Sequence, residues 1–226
     1  MANSHSISYA GSGNLLIPTQ SYINFGSGSY TISFWFKRNG HPGASERLMG
    51  KSSGNNWAIS GRVSTNGTLN FQQWNGTTNP SWSTTTDVCD NAWHYVVVVL
   101  NDSGTNRVFV DGNAEGTDTH LAITTATNFF FYDGPDGAQS GTHEYDEIII
   151  YNVALSNSLT FNRRYDDPVV EGYASLQGYY NLNNTANDSS SNANNATNSS
   201  GSFTTDVPFV GYGKNVPLRG LMGVGA

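Results

Sequence analysis

Hydrophobic and polar positions alternate with a period of two along most of the chain, as in strands that turn one face to a core. Ile7-Ser-Tyr9, Leu15-Leu-Ile17, Tyr22-Ile-Asn-Phe25 and Tyr30-Thr-Ile-Ser-Phe-Trp-Phe-Lys37 read as successive strands broken by Gly-Ser turns. In the last of these, Ile32, Phe34 and Phe36 share one face, and Thr31, Ser33 and Trp35 the other. Further strands are predicted over 46–51, 57–63, 68–74, 93–101, 106–111, 121–124, 128–132 and 144–151. Asn66-Gly67, Asn75-Gly76 and Asp111-Gly112 supply the positive φ that tight hairpins need. Val96 to Leu100 lacks polar alternation, which predicts a central strand buried on both faces.

The clearest helical segment is Ser156 to Tyr165, with Ser156 as N-cap and an end before Asp166-Asp-Pro168. From Asn181 to Asn198 the pattern dissolves: eight of these eighteen residues are Asn, and disorder is the compositional expectation. Gly178 to Leu182 and Ser202 to Phe209 nevertheless read as short strands. Gly211 to Ala226 is Gly-rich with isolated apolar residues, too sparse to form a core, and reads as a linear tail.

Composition narrows the function classes. A chain of 226 residues suffices for one sandwich with a real core, and 12% charged with 12% aromatic residues suits a turn-rich β protein over a helical bundle. A net charge of −7 with only ten Lys and Arg argues against nucleic-acid binding. Cys89 stands alone, so no disulfide framework is expected. The N-terminus shows no secretory pattern, and no apolar run is long enough for membrane insertion. An extracellular-looking fold without an export signal is expected to travel by another route, such as assembly into a virus particle.

Tyr30–Lys37, then Ala92-Trp-His-Tyr-Val-Val-Val-Val-Leu100 with Arg107-Val-Phe-Val-Asp-Gly112, then Glu144-Tyr-Asp-Glu-Ile-Ile-Ile-Tyr151 form a motif series. In order and spacing the series resembles the laminin-G-like, concanavalin A-like jelly-roll superfamily. The resemblance implies an all-β, antiparallel two-sheet sandwich. Gly178-Tyr-Tyr-Asn-Leu182 and Asp188-Ser-Ser-Ser-Asn192 resemble the strand and loop that open such domains, but here they follow Tyr151. A circularly permuted jelly roll is expected over 1–210, with 178–209 completing the sandwich in cis or in a neighbouring subunit. A truncated second repeat is the alternative. Residues 211–226 are expected to act as an anchoring tail.

Related jelly-roll glucanases place three carboxylates on a Glu-x-Asp-x-x-Glu strand. Glu144 and Asp146 match the first two, but Ile148, Ile149 and Ile150 replace the remainder, which argues against a glycosidase. The resemblance implies a structural Ca2+ at Asp146, with Asp188 and Asn192 from the displaced loop as further ligands; Asp146 as a strand or turn cap is the alternative. Trp35, Trp93 and His94 fall in strand patterns and read as structural. Sugar-stacking candidates lie at turns and loop edges: Trp74, Asn75, Trp82, Tyr132 and Asp133. In the tail, Leu218, Arg219, Leu221 and Met222 are candidate anchors to other virion subunits or to a second copy. The expected function is a non-enzymatic virion surface protein (decoration, fibre or adhesion) that binds glycans. A secreted or cell-surface carbohydrate-binding module is the alternative, and a glycan-active enzyme the third class.

Overall fold

The computed structural model describes residues 3–25, 28–53, 56–123, 127–132, 141–162, 164–169 and 171–209. Two antiparallel sheets pack face to face. The eight-stranded sheet runs, in spatial order, β10 (Asn113–Thr119), β9 (Thr105–Val110), β8 (His94–Leu100), β3 (Tyr30–Arg38), β12 (Thr142–Tyr151), β1 (Ser6–Ala10) and β15 (Ser202–Thr204). A further strand of it, β13 (Leu176–Tyr180), pairs with β12. The seven-stranded sheet runs β14 (Thr197–Ser199), β2 (Asn14–Ile17), β11 (Phe129–Tyr132), β4 (Glu46–Ser53), β5 (Asn56–Val63), β6 (Leu69–Trp74) and β7 (Ser81–Ser83).

The period of two sorts the side chains as expected. Ile32, Phe34 and Phe36 of β3 enter the core between the sheets together with Val96, Val98 and Leu100 of β8. Trp35, Tyr95, Val97 and Val99 point to the opposite side, where they form a second buried cluster with Phe109 and Phe209. Strand β8 is therefore buried throughout and central, between β3 and β9.

Three expectations change. Tyr22 to Phe25 is a turn held by Ile23 N–H to Gln20 C=O at 3.0 Å, with Ile23 and Phe25 buried as plugs of the core. Residues 121–123 form no strand, although Ile123 is buried; Leu121 N–H instead donates to Gln73 Oε1 at 2.8 Å. The helix α1 is shorter than predicted, Asn157–Asn162, with Leu159 N–H directed at Ser156 Oγ at 3.4 Å. Strand β7 escaped the pattern because three residues around one buried Trp82 are too few to show a period, and β10 because an edge strand as polar as Asn113–Thr119 buries no alternating face.

The late segment completes the fold in cis. Along one edge of β12, β1 covers Thr142–Tyr145 and β13 covers Ile148–Tyr151. The handover falls at Asp146 and Glu147, where β12 also bulges against β3 and Glu147 takes a φ of 50°. Next, β14 adds an edge to the seven-stranded sheet through β2, and β15 adds one to the eight-stranded sheet through β1.

The Asn-rich stretch is ordered because its side chains satisfy backbone groups. Asp188 accepts from the backbone N–H of Tyr179, Ser190 and Asn194 and from Ser190 Oγ, each at 2.9 Å. Asn194 Nδ2 donates to Pro18 C=O at 2.9 Å, and Tyr9 OH donates to Asn198 Oδ1 at 2.9 Å.

Lys51 of β4 is fully buried, with its ammonium on Thr19 Oγ1 at 2.9 Å and on Thr127 C=O. Burial pushes its pKa down from 10.5 to about 8. The folded pKa thus lies below the unfolded one, so the unfolded chain holds the extra proton between them. The destabilisation is complete below about pH 8 and lifts as pH rises towards 10.5. Urea titrations at stepped pH should show wild-type stability climbing over that window relative to Lys51→Met. Parallel curves would exclude the linkage.

Candidate functional site

The outward face of the eight-stranded sheet is too apolar to meet water. Trp35, Val97, Val99 and Phe109 on one half, and Ile149 and Tyr151 on the other, need a cover. The chain supplies a third layer from α1, residues 164–169 and 171–176, and the final stretch to Phe209. Phe161, Tyr165 and Phe209 pack on the first cluster; Leu155, Tyr173, Leu176 and Tyr179 pack on the second.

The cover stops short near the start of β8 and leaves a pocket of about 680 Å3. Its apolar walls are Trp35, Trp93, Tyr95, Phe161 and Tyr165, and its polar groups include Asp90, Asn91, Asp111, Asn113 and Asp206. Trp35 and Tyr165 stack at 5.8 Å with 22° between their planes, which fixes the inner wall. Trp93 is only partly buried; its Nε1–H donates to Asp206 Oδ1 at 3.1 Å. The other oxygen of Asp206 pairs with Lys37, whose ammonium also lies 3.6 Å from Glu144. Asp206 thus draws the last stretch of the domain across the pocket's edge.

His94 forms the opposite wall, with Nδ1 2.7 Å from Asp111 Oδ2 and Nε2 3.0 Å from Asp90 Oδ1. Burial works against its charge, but hydrogen bonding and attraction to the two carboxylates outweigh it and raise the pKa. The imidazole is thereby fixed in orientation. Arg164 lies with its guanidinium 3.7 Å from the Phe161 ring centroid and donates to Phe161 C=O at 2.6 Å. The result is an aromatic recess rimmed by hydrogen-bond acceptors, the chemistry that holds a polyhydroxylated ring.

Among the described residues, the pocket contains none of the predicted sugar-stacking side chains. Trp82 is a core residue, not a loop-edge platform: it is 2% exposed and stacks on Phe71 at 6.2 Å. Tyr132 is likewise buried, stacked on Tyr9 at 5.3 Å, with its OH donating to Gly141 C=O and accepting from Gly11 N–H. Trp74 is half-buried at the end of β6, opposite Trp57. Asn75 Oδ1 shapes its own turn by accepting from the N–H groups of Thr77 and Thr78 at 3.0 and 2.7 Å. Asp133 and the tail residues Leu218, Arg219, Leu221 and Met222 lie outside the described residues. Trp35, Trp93 and His94, read as structural from their strand patterns, are the ones that reach the pocket.

The predicted metal ligands separate as well. Asp188 engages both oxygens with the four donors named above, and Asn192 Nδ2 donates to Gln177 C=O at 2.9 Å; both shape the late loop. Asp146 is fully buried, accepting from Asn3 Nδ2 at 2.8 Å and from Glu147 N–H at 2.9 Å. Burial and the neighbouring Glu147 charge push its pKa well up. Asn3 Oδ1 is buried there without a hydrogen-bond partner. Among the described residues no group of three or more His, Cys, Asp or Glu has metal-holding geometry. Both oxygens of Asp146 are thus occupied, which leaves Asn3 Oδ1 as an unpartnered buried oxygen beside them; Asp188 and Asn192, turned to their own backbone, do not join them.

A laminin-G family model, described as the concanavalin A-like lectin/glucanases superfamily, matches residues 10–158. The chain belongs to this superfamily. Solved structures share the laminin-G-type fold at low identity. A candidate carbohydrate binding protein from Bacteroides ovatus aligns with TM-score 0.69 and 15% identity, over 91% of this chain and 60% of that one. The binding domain of botulinum neurotoxin DC, in complex with SialylT, aligns with TM-score 0.55 and 17% identity over 69% and 40%. The heptameric SAP-like pentraxin of Limulus polyphemus aligns with TM-score 0.53 and 16% identity over 71% and 82%. This chain therefore spans less than two thirds of the first two proteins, 60% of one and 40% of the other. No match was found among curated proteins.

Proposed function

We propose that this chain is a non-enzymatic carbohydrate-binding module whose site is the pocket at Trp93. The observation that carries the reading is the pocket's composition: aromatic walls, a fixed imidazole and a rim of carboxylates and amides on the outward face of the eight-stranded sheet. The candidate carbohydrate binding protein of Bacteroides ovatus and the botulinum domain in complex with SialylT, which share the fold, support it. A glycosidase is disfavoured because Asp146 is buried, Glu144 lies against Lys37, and Ile148 to Ile150 pack inside the protein. Trp93→Ala should weaken glycan binding roughly five- to hundredfold, on the order of 1–3 kcal/mol for a stacked aromatic anchor, and leave thermal unfolding within a few degrees. Glycan-array screening followed by calorimetry tests this; a Trp93→Ala protein that binds as wild type removes the pocket from consideration.

The setting we propose is a virion surface, with the tail 211–226 docking on another subunit or copy; a secreted or cell-surface module is the alternative. The pentraxin's heptameric assembly supports association among domains of this fold. We further propose that a structural Ca2+ binds at Asp146 with Asn3 Oδ1, pinning the N-terminus to the β12 handover. Millimolar Ca2+ should raise the melting temperature over that in chelator, and Asp146→Asn should erase the difference. Identical melts of the wild type in the two conditions would exclude the ion.

A further inference from the structure

The charges around the pocket are layered, and the layering bears on which sugars it accepts; this step rests on the carbohydrate-binding reading above. The carboxylates stand forward: the side chains of Asp90, Asp111 and Asp206 are 51%, 42% and 48% exposed. The cations stand behind them: Lys37 is 12% exposed and His94 10%. Each cation is also already engaged. Lys37 lies between Asp206 and Glu144, His94 between Asp90 and Asp111, and Arg164 lies on the Phe161 and Tyr165 rings. An incoming ligand therefore meets aromatic faces and acceptor oxygens first, without an unengaged positive charge among these groups.

We propose that this pocket selects neutral saccharides and discriminates against glycans bearing carboxylate or sulfate groups. A pyranose hydroxyl donates a charge-assisted hydrogen bond to an exposed carboxylate, while its apolar face covers Trp93. A carboxylated sugar in the same place meets like charge at a partly desolvated rim, an arrangement that costs affinity. The botulinum neurotoxin DC domain, captured with SialylT, shares the fold, but the charge layering here opposes a sialyl carboxylate.

The test uses the full chain and matched pairs of oligosaccharides, each neutral core with and without a terminal sialic acid or uronate, titrated by calorimetry at two salt concentrations. The neutral member of each pair should bind about tenfold or more tightly than the acidic member, with the gap narrowing at high salt. Asp90→Asn, which removes one forward charge, should narrow the same gap at low salt. Equal or tighter binding of the acidic members overturns the charge inference and leaves the pocket standing if Trp93→Ala still abolishes binding. Binding of neither member at the highest soluble concentration overturns the carbohydrate reading and this inference with it.

Discussion

Replacing Glu46 with alanine is expected to destabilise the domain by about 3–5 kcal/mol, a large share of the roughly 5–15 kcal/mol that holds a domain of this kind together. Glu46 lies on β4 and reaches across the core to β3 and β12 of the other sheet. Its Oε2 accepts from Arg38 Nε at 3.2 Å and from Arg38 Nη2 at 3.0 Å, and lies 2.9 Å from His143 Nε2. Beyond it, His143 Nδ1 lies 3.1 Å from Tyr145 OH, which donates to Leu48 C=O at 2.9 Å. Arg38, Glu46, His143 and Tyr145 are all buried. Burial, assisted by the Arg38 charge, lowers the pKa of His143 and favours the neutral ring, so of these two partners it is Arg38 that brings the carboxylate a full positive charge. Removing Glu46 strands that guanidinium between the sheets. Glu46→Gln keeps the volume and one acceptor and should lose less. Urea unfolding with an unchanged m-value measures both; a loss below about 1 kcal/mol for Glu46→Ala would show that the buried charge finds other relief.

How far this interior was legible depends on which kind of information each residue needed. Parity places Arg38 on the face of Ile32, Phe34 and Phe36, so its inward direction could have been read from the strand alone. Its partner could not, because Glu46 meets it only once β3 and β4 face each other across the core. The pocket has the same character. Trp93 and His94 were visible as a motif, but the carboxylates they engage, Asp90, Asp111 and Asp206, meet them only on folding. Trp82 and Tyr132 misled for the converse reason: an aromatic at a strand end looks like a platform until the sandwich closes over it. The Asn-rich stretch defied its composition because a polar side chain counts as solvated in an average, yet each of Asp188, Asn194 and Asn198 closes a particular backbone or hydroxyl contact. Most strands, by contrast, followed from local alternation, and the burial of β8 from its unbroken apolar run; neither needed a partner.

A chain ended at residue 158, where the family match stops, is expected to show no cooperative unfolding transition, while a circular permutant of the domain folds. The truncation removes β13, and with it the ladder along Ile148–Tyr151 and the core side chains Tyr180 and Leu182. It also strips β14 from β2 and β15 from β1, leaving open edges on both sheets. Phe209 and Tyr165 vanish from the outer cluster, so the apolar outward face of β3 and β8 meets water. Each of these elements covers a sheet edge or an apolar side chain of the sandwich. The permutant keeps them all. Ser6 pairs with Thr204, and Ser6 Oγ donates to Asp206 C=O at 2.6 Å, so the two ends of the sandwich already touch. A linker of about six Gly and Ser residues, spanning on the order of 15 Å, should join Phe209 to Asn3. New termini opened between Gly172 and Tyr173 fall in an exposed turn where Gly172 takes a φ of 66°. The permuted chain then begins just before β13, the order implied by the resemblance of Gly178–Leu182 to the strand that opens such domains. Its melting temperature is expected within about 5 °C of the parent, with glycan binding retained. A cooperative melt of the 1–158 chain at the parental temperature would mean that the late segment decorates the sandwich without completing it; an unfolded permutant would mean that chain order, and not only contact, holds β13 in place.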